Sequence, residues 1–154
     1  MWQGSVVSIH ITTAAGQPME SVPEARAVAG RGLEGDRYSL GTGCYSDKPG
    51  EGGRELTLSE TETIEALPAL GVKLSAAESR RNIATMGVPL DHLVGREFRV
   101  GAVLLRGTRF CEPCRYLDGL TQQGAMAVLI HRGGLREQVL NDGLIRVGDT
   151  ITLS

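Results

Sequence analysis

Residues 111–114 read Cys-Glu-Pro-Cys, directly after an apolar, β-prone run and directly before Arg115, and the remaining cysteine is Cys44. Thiols at this spacing can exchange disulfides, carry sulfur or ligate a soft metal, in each case as thiolates, which form most readily beside a cation or a helix N-terminus. Arg115 is one such cation. Four arrangements meet the pattern. A zinc site needs four ligands and would have to recruit two from Cys44, His10, His92 and His131, none at ligand spacing. A thioredoxin-like dithiol belongs near a βαβ unit, and the strands here read as antiparallel. Two buried cysteines can simply fill a core. The favoured arrangement is a reactive Cys114 at a helix start, with Pro113 pre-setting the backbone and Arg115 holding the thiolate.

Two further clusters carry charge in suggestive company. In the glycine-rich stretch Gly30 to Tyr38, the run Gly35-Asp36-Arg37 is either a turn with a local ion pair or a loop that brings Arg37 and backbone N–H groups onto an anion. Arg80-Arg81-Asn82 follows a short helical segment, and if Ile83 begins a strand, at least one of the two arginines turns toward the interior or a cleft. A solvated helix end is the plain alternative. Arg54 and Glu55 read equally as loop residues, and His131-Arg132-Gly133-Gly134 as a loop before a strand. No GxSxG, no P-loop and no paired His and Asp of a triad occur. Gly32-Leu33-Glu34-Gly35 falls short of a dinucleotide fingerprint because no βαβ unit frames it.

These groups must be positioned by a chain of 154 residues, 41% hydrophobic and 22% charged, which is enough for one core. The expectation is a single domain over 1–154. No apolar run reaches membrane-spanning length and the start lacks a signal-peptide pattern, so a soluble, cytoplasmic protein is expected, in keeping with three cysteines. A net charge of −2 and a pI near 5.9 argue against binding a nucleic acid polymer. Of the sixteen basic residues only Lys48 and Lys73 are lysines. A GC-rich genome explains that bias, and so does a preference for guanidinium forks on phosphate or carboxylate ligands.

Twenty-one glycines and six aromatics point to many tight turns around an aliphatic core. Trp2 to Thr12 reads as a strand with Gly16-Gln17-Pro18 as its turn, and residues 20–55 as irregular. Leu56-Thr57-Leu58 is a short strand running into a capping box at Ser59-Glu60-Thr61-Glu62, whose helix ends near Pro68. A second box at Ser75 to Glu78 opens one or two helical turns. Phe98 to Val100 and Val103 to Phe110 flank a Gly101-Ala102 hairpin turn, residues 115–120 form a short helix or turn, and Ala125 to Ile130 is helix or strand. Leu135 to Leu140 alternates, Asn141-Asp142-Gly143 signals a hairpin, and Leu144 to Val147 and Thr150 to Leu153 are strands. Such spacing predicts a closed or half-closed, mainly antiparallel β-barrel with a few short helices as lids.

Taken in order, Gly32-Leu33-Glu34-Gly35-Asp36-Arg37-Tyr38, Arg54-Glu55-Leu56-Thr57-Leu58, Arg81-Asn82-Ile83, Leu93-Val94-Gly95, Phe98-Arg99-Val100-Gly101, Pro113-Cys114 and Gly148-Asp149 resemble the MOSC domain, named for the C-terminal domain of molybdenum cofactor sulfurases. The resemblance runs from about residue 4 to the end. It implies a β-rich barrel of the pyruvate-kinase-insert type with one hallmark cysteine, at the position of Cys114.

What the resemblance implies for function is of two kinds. Some family members bind molybdenum cofactor through that cysteine and reduce N-hydroxylated bases. Others receive sulfur from pyridoxal-phosphate-dependent desulfurases for metal–sulfur centres. On either reading Cys114 is metal ligand or sulfur acceptor, and Asp36, Arg37, Arg54, Arg81, Asn82 and Arg115 surround the anionic ligand, with Asp36 orienting Arg37. A non-catalytic ligand-binding module is a further alternative. The chain has neither a fused desulfurase nor an iron–sulfur domain, so a cysteine desulfurase or an electron-transfer protein is the expected partner. Pyridoxal phosphate is expected on that partner, because a Schiff base needs a lysine and Lys48 and Lys73 sit in unpromising loops. Cys111 would resolve an oxidised or persulfidated Cys114, or merely pack.

Overall fold

A computed structural model of the chain describes residues 2–41, 55–71, 75–110 and 134–154, with Leu70 by its backbone alone. The strands among these residues are β1 (Gly4–Ile11), β2 (Glu20–Val22), β3 (Glu24–Val28), β4 (Gly32–Leu33), β5 (Leu56–Glu60), β6 (Ile83–Met86), β7 (Glu97–Val100), β8 (Val103–Phe110), β9 (Leu135–Val139), β10 (Gly143–Arg146) and β11 (Thr150–Leu153). Two short helices, α1 (Arg37–Leu40) and α2 (Thr61–Ala66), and two 3-10 turns complete the described elements.

Seven strands close on themselves in the order β1-β11-β7-β8-β9-β5-β6, because β11 pairs with both β7 and β1. Among the described ladders all are antiparallel except β5 with β6, where Leu58 lies beside Ile83. Alternation decides what goes inside. Ile9, Ile83, Leu58 and Leu135 lie side by side across four strands and each has no exposed surface, as do Phe98, Leu105 and Ile151 farther round. Apart from Phe98, the barrel interior is therefore aliphatic, as the composition requires.

The β-rich barrel is as the sequence predicts, and so are the β7–β8 hairpin and the β5 strand. Three local expectations differ. Over the described residues 20–41 the chain forms β2, β3, β4 and α1 rather than an irregular stretch, because β3 finds its partner in β10, more than a hundred residues away. Asn141-Asp142-Gly143 turns the chain, but β10 pairs with β3 and not with β9. The Asn141 side chain instead bonds the Leu104 amide and the Ala102 carbonyl, and Asp142 accepts from the Ala29 amide. Ser59 stays in β5, so α2 begins after Glu60 without a side-chain cap. Beyond Ala66 the chain tightens into a 3-10 turn over Leu67–Leu70 with Pro68 near its start, so the proline ends the α-helix as expected without ending helical structure. The second box does form: the Glu78 carboxylate accepts from the Ser75 amide and the Ser75 hydroxyl from the Glu78 amide, at 3.0 and 3.1 Å.

Residues 115–120 and 125–130 lie outside the described residues. Among the described residues no helix is long and apolar enough to cross a membrane.

Candidate functional site

Positions next to the inward ones point outward, and on β1, β5 and β6 they are polar yet buried. His10, Thr57 and Asn82 flank the inward Ile9, Leu58 and Ile83, and none exceeds 2% exposure. Buried polar groups must be hydrogen-bonded, and these bond one another. The Asn82 Oδ1 accepts from the Thr57 amide and hydroxyl, both at 3.1 Å, and its Nδ2 donates to the His10 carbonyl at 3.1 Å. The His10 amide donates in return to the Asn82 carbonyl at 2.6 Å. Asn82 is thus a cross-link between three strands.

Against this polar layer lies the glycine-rich loop. Gly32 approaches β5 so closely that a Cβ would fall 2.2 Å from the Glu55 carbonyl oxygen, and Gly35 has φ +86°, a left-handed backbone that glycine adopts at least cost. These two residues deliver Asp36, fully buried, to the N-cap of α1. Its Oδ1 accepts from the Thr12 amide at 3.2 Å and from Arg37 Nη1 at 3.1 Å, and Oδ2 from the Tyr38 amide at 3.4 Å. Asp36 and Arg37 therefore form a buried ion pair. The Arg37 guanidinium, 4.7 Å from the Tyr38 ring centroid, also reaches Met19 Sδ at 3.5 Å and the Arg80 carbonyl at 3.0 Å.

Arg80 is the residue that sequence reasoning did not assign to the site. Its neighbour Arg81 is half-buried, whereas Arg80 is 7% exposed and donates through Nη1 to the Gln17 carbonyl. It is also the one non-glycine residue with positive φ among the described residues, at 66°. Left-handed backbone costs a non-glycine residue about 1–2 kcal/mol. The expectation that one of two adjacent arginines turns inward therefore holds, and the inward one is Arg80. The signal was the position itself: Arg80 ends the turn that the Ser75–Glu78 box begins, with its amide bonded to the Ala77 carbonyl at 3.1 Å, a place where glycine usually stands.

Next to this cluster is a cavity of about 230 Å³ whose wall includes Thr12, Gln17, Glu20 and Gly35. The buried Arg37 guanidinium pairs with the buried Asp36 carboxylate, and the buried Arg80 guanidinium donates to the Gln17 carbonyl. Burial also lowers the pKa of His10 below its ordinary 6.5, an effect its hydrogen bond to the Arg81 carbonyl, at 3.1 Å, only partly offsets. The imidazole beside Arg81 is thereby biased toward its neutral form.

Of the residues that the sequence singles out, the structure brings Asp36, Arg37, Arg81 and Asn82 into one network. Arg54, Cys44, Cys111, Cys114 and Arg115 lie outside the described residues. Among the described residues no group of three or more His, Cys, Asp and Glu could hold a metal ion.

Residues 50–152 match the model of the MOSC domain family. No curated protein matches the chain in sequence. Among solved structures, the chain is similar to the YuaD protein from Bacillus subtilis, with a TM-score of 0.77 and 17% identity over 98% of this chain and 97% of that one. It is similar also to YiiM from Geobacillus stearothermophilus, with a TM-score of 0.72 and 17% identity over 98% of this chain and 75% of that one. YiiM from Escherichia coli gives a TM-score of 0.67 and 19% identity, covering 100% of this chain and 70% of the other. At these identities the likeness is one of fold.

Proposed function

The chain belongs to the MOSC domain family, and from that premise we propose that it binds molybdenum cofactor, with Cys114 as the thiolate ligand of the metal. The observation that supports this reading is the buried network in which Asp36 holds Arg37 and Arg37 holds the turn at Arg80, beside a cavity. At about 230 Å³ that cavity is smaller than a typical pocket for a whole cofactor, and its wall includes Glu20 but none of Arg37, Arg80 and Arg81.

The roles divide accordingly. Arg81 contacts the anionic end, and Arg54 and Arg115 are assigned to the same ligand. The Arg37 and Asn82 side chains bond the Arg80 and His10 carbonyls and so hold the elements around the ligand in place. Asp36 orients Arg37. When bound, molybdenum cofactor supplies a metal that takes up and releases electron pairs, the chemistry that reduction of an N-hydroxylated base requires. An external protein then delivers the electrons.

The test is anaerobic reconstitution with molybdenum cofactor followed by metal analysis of wild type and Cys114→Ala. Molybdenum retained by the wild type and lost from the variant is the expected result, and equal molybdenum in both removes the ligand role. The sulfur-acceptor role of the same thiol is separated by intact mass after incubation with a cysteine desulfurase. A gain of one sulfur mass, absent in Cys114→Ala, assigns Cys114 to carriage instead.

A further inference from the structure

The outer face of β7 and β8 carries charge that the candidate site does not use. Along β7, Phe98 and Val100 point inward with no exposed surface, so Glu97 and Arg99 point outward. Along β8, Arg106 is the exposed residue between the inward Leu105 and Gly107, and Arg109 is exposed beyond a bulge. Arg96, also exposed, precedes β7 and lines, with Arg106 and Leu153, a cavity of about 340 Å³. Among the described residues none of these four arginines has a side-chain hydrogen bond or ion pair. Glu97 lies opposite Arg106 in the ladder and does not pair with it.

This concentration opposes the charge of the rest of the molecule. Residues 96–110 hold four arginines and one glutamate, while the remainder of the chain holds twelve basic and seventeen acidic residues. Successive outward positions on a strand stand about 7 Å apart, so the rows of Arg99, Arg106 and Arg109 extend over about 14 Å. Guanidinium groups spread that far match several carboxylates on a surface better than one small anion. A nucleic acid would run its phosphates past both ends of the patch onto an otherwise acidic molecule, whereas an acidic protein patch of matched size stops where the arginines stop. We infer that the outer face of β7 and β8 is a docking surface for an acidic patch on a partner protein. The face adjoins the candidate site: Arg109 lies opposite Arg136, Arg136 lies opposite Thr57, and Thr57 bonds Asn82. The inference stands on the charge of this face and holds whichever ligand the site takes.

The test follows the backbone amides of the full chain by NMR, with an octaglutamate peptide as the model of an acidic protein patch and a single-stranded oligonucleotide of equal charge beside it. Wild type is compared with Arg99→Gln/Arg106→Gln, Arg99→Glu/Arg106→Glu and Arg31→Glu/Arg146→Glu. The last makes the same charge reversal at exposed positions of β10 and the β3–β4 turn. All four side chains are exposed, so every variant is expected to melt close to wild type, and the glutamine pair serves should charge reversal disturb folding. The peptide is expected to shift the amides of β7 and β8, with affinity falling about tenfold between about 20 and about 200 mM salt. Arg99→Glu/Arg106→Glu should weaken peptide binding by at least about tenfold and the glutamine pair by less, while Arg31→Glu/Arg146→Glu stays within about twofold of wild type. Equal losses in the two charge-reversed variants overturn the inference, because bulk charge alone then explains the binding. So does the absence of peptide-induced shifts on β7 and β8 in wild type. Tighter binding of the oligonucleotide than of the peptide, through the same amides, overturns it in favour of a nucleic-acid surface.

Discussion

The Arg37 guanidinium donates to the main-chain carbonyl of Arg80 at 3.0 Å, joining α1 to the turn before β6 across 43 residues of sequence. The same guanidinium is held by Asp36, whose carboxylate is fully buried. One buried ion pair therefore fixes the backbone that leads to Arg81. A buried pair is costly to break because the remaining charge loses its partner without regaining water.

Asp36→Asn is accordingly expected to lose about 3 kcal/mol of stability by urea denaturation, although it preserves shape and the N-cap acceptor. Arg37→Leu removes the opposite charge and should cost a similar amount, whereas the double variant should cost less than the sum. A loss below about 0.5 kcal/mol for Asp36→Asn contradicts a charge role for this carboxylate.

Asn82→Ala leaves the Thr57 amide and hydroxyl and the His10 carbonyl without their side-chain partner in a buried layer. The expected loss is about 2–4 kcal/mol, measured by thermal or urea unfolding. Asn82→Asp should not rescue it, since a carboxylate cannot donate to the His10 carbonyl.

Gly32→Ala puts a Cβ against the Glu55 carbonyl with φ at +116°, so backbone must move. A destabilisation of about 2–4 kcal/mol is expected. Gly30→Ala, also at positive φ but with nothing within 4 Å of a Cβ, should cost about 1 kcal/mol, the backbone term alone. Comparing the two by denaturation separates close approach from left-handed backbone.

Two groups make stability depend on pH, with opposite signs. Burial holds the folded pKa of His10 below 6.5, so the unfolded chain binds the extra proton first. That contribution is complete above pH 6.5 and is lost as pH falls toward the folded value. Burial, and to a smaller extent the Asp91 and Glu62 carboxylates, hold the Glu60 pKa above 4.5, while a hydrogen bond to the Leu90 backbone pulls the other way. Its contribution is complete below pH 4.5 and is lost as pH rises through the folded value. His10→Gln should therefore flatten the loss of stability on the acid side of pH 6.5. Glu60→Gln should raise stability modestly at pH 7 and leave it unchanged near pH 4. Denaturation series at several pH values read both, and parallel profiles for wild type and His10→Gln contradict the first.

Much of the barrel was legible in advance because its signals are local. Alternation in Leu135 to Val139, the Gly101-Ala102 turn and the glycines before Asp36 each depend on a few neighbouring residues. The second sheet was not legible. Glu24-Ala25-Arg26-Ala27-Val28 has little apolar bulk and becomes β3 only because β10 lies alongside it. The Asn141-Asp142-Gly143 signal was read as a hairpin for the converse reason: a turn propensity says that the chain reverses, not which strand it then joins.

At the site, residue types alone determined that Gly35-Asp36-Arg37 and Arg81-Asn82 were worth bringing together, and that a carboxylate beside a guanidinium would orient it. Only the tertiary structure decided how the roles divide. Arg80 took the buried place because the end of a turn forced one of two adjacent arginines into left-handed backbone and inward. Asn82 became a cross-link because β5 and β6 run parallel at Leu58 and Ile83, which sets Thr57 against it. Those outcomes depend on contacts between distant segments, whose pairing is chosen by the burial of a whole core and not by any short stretch of sequence.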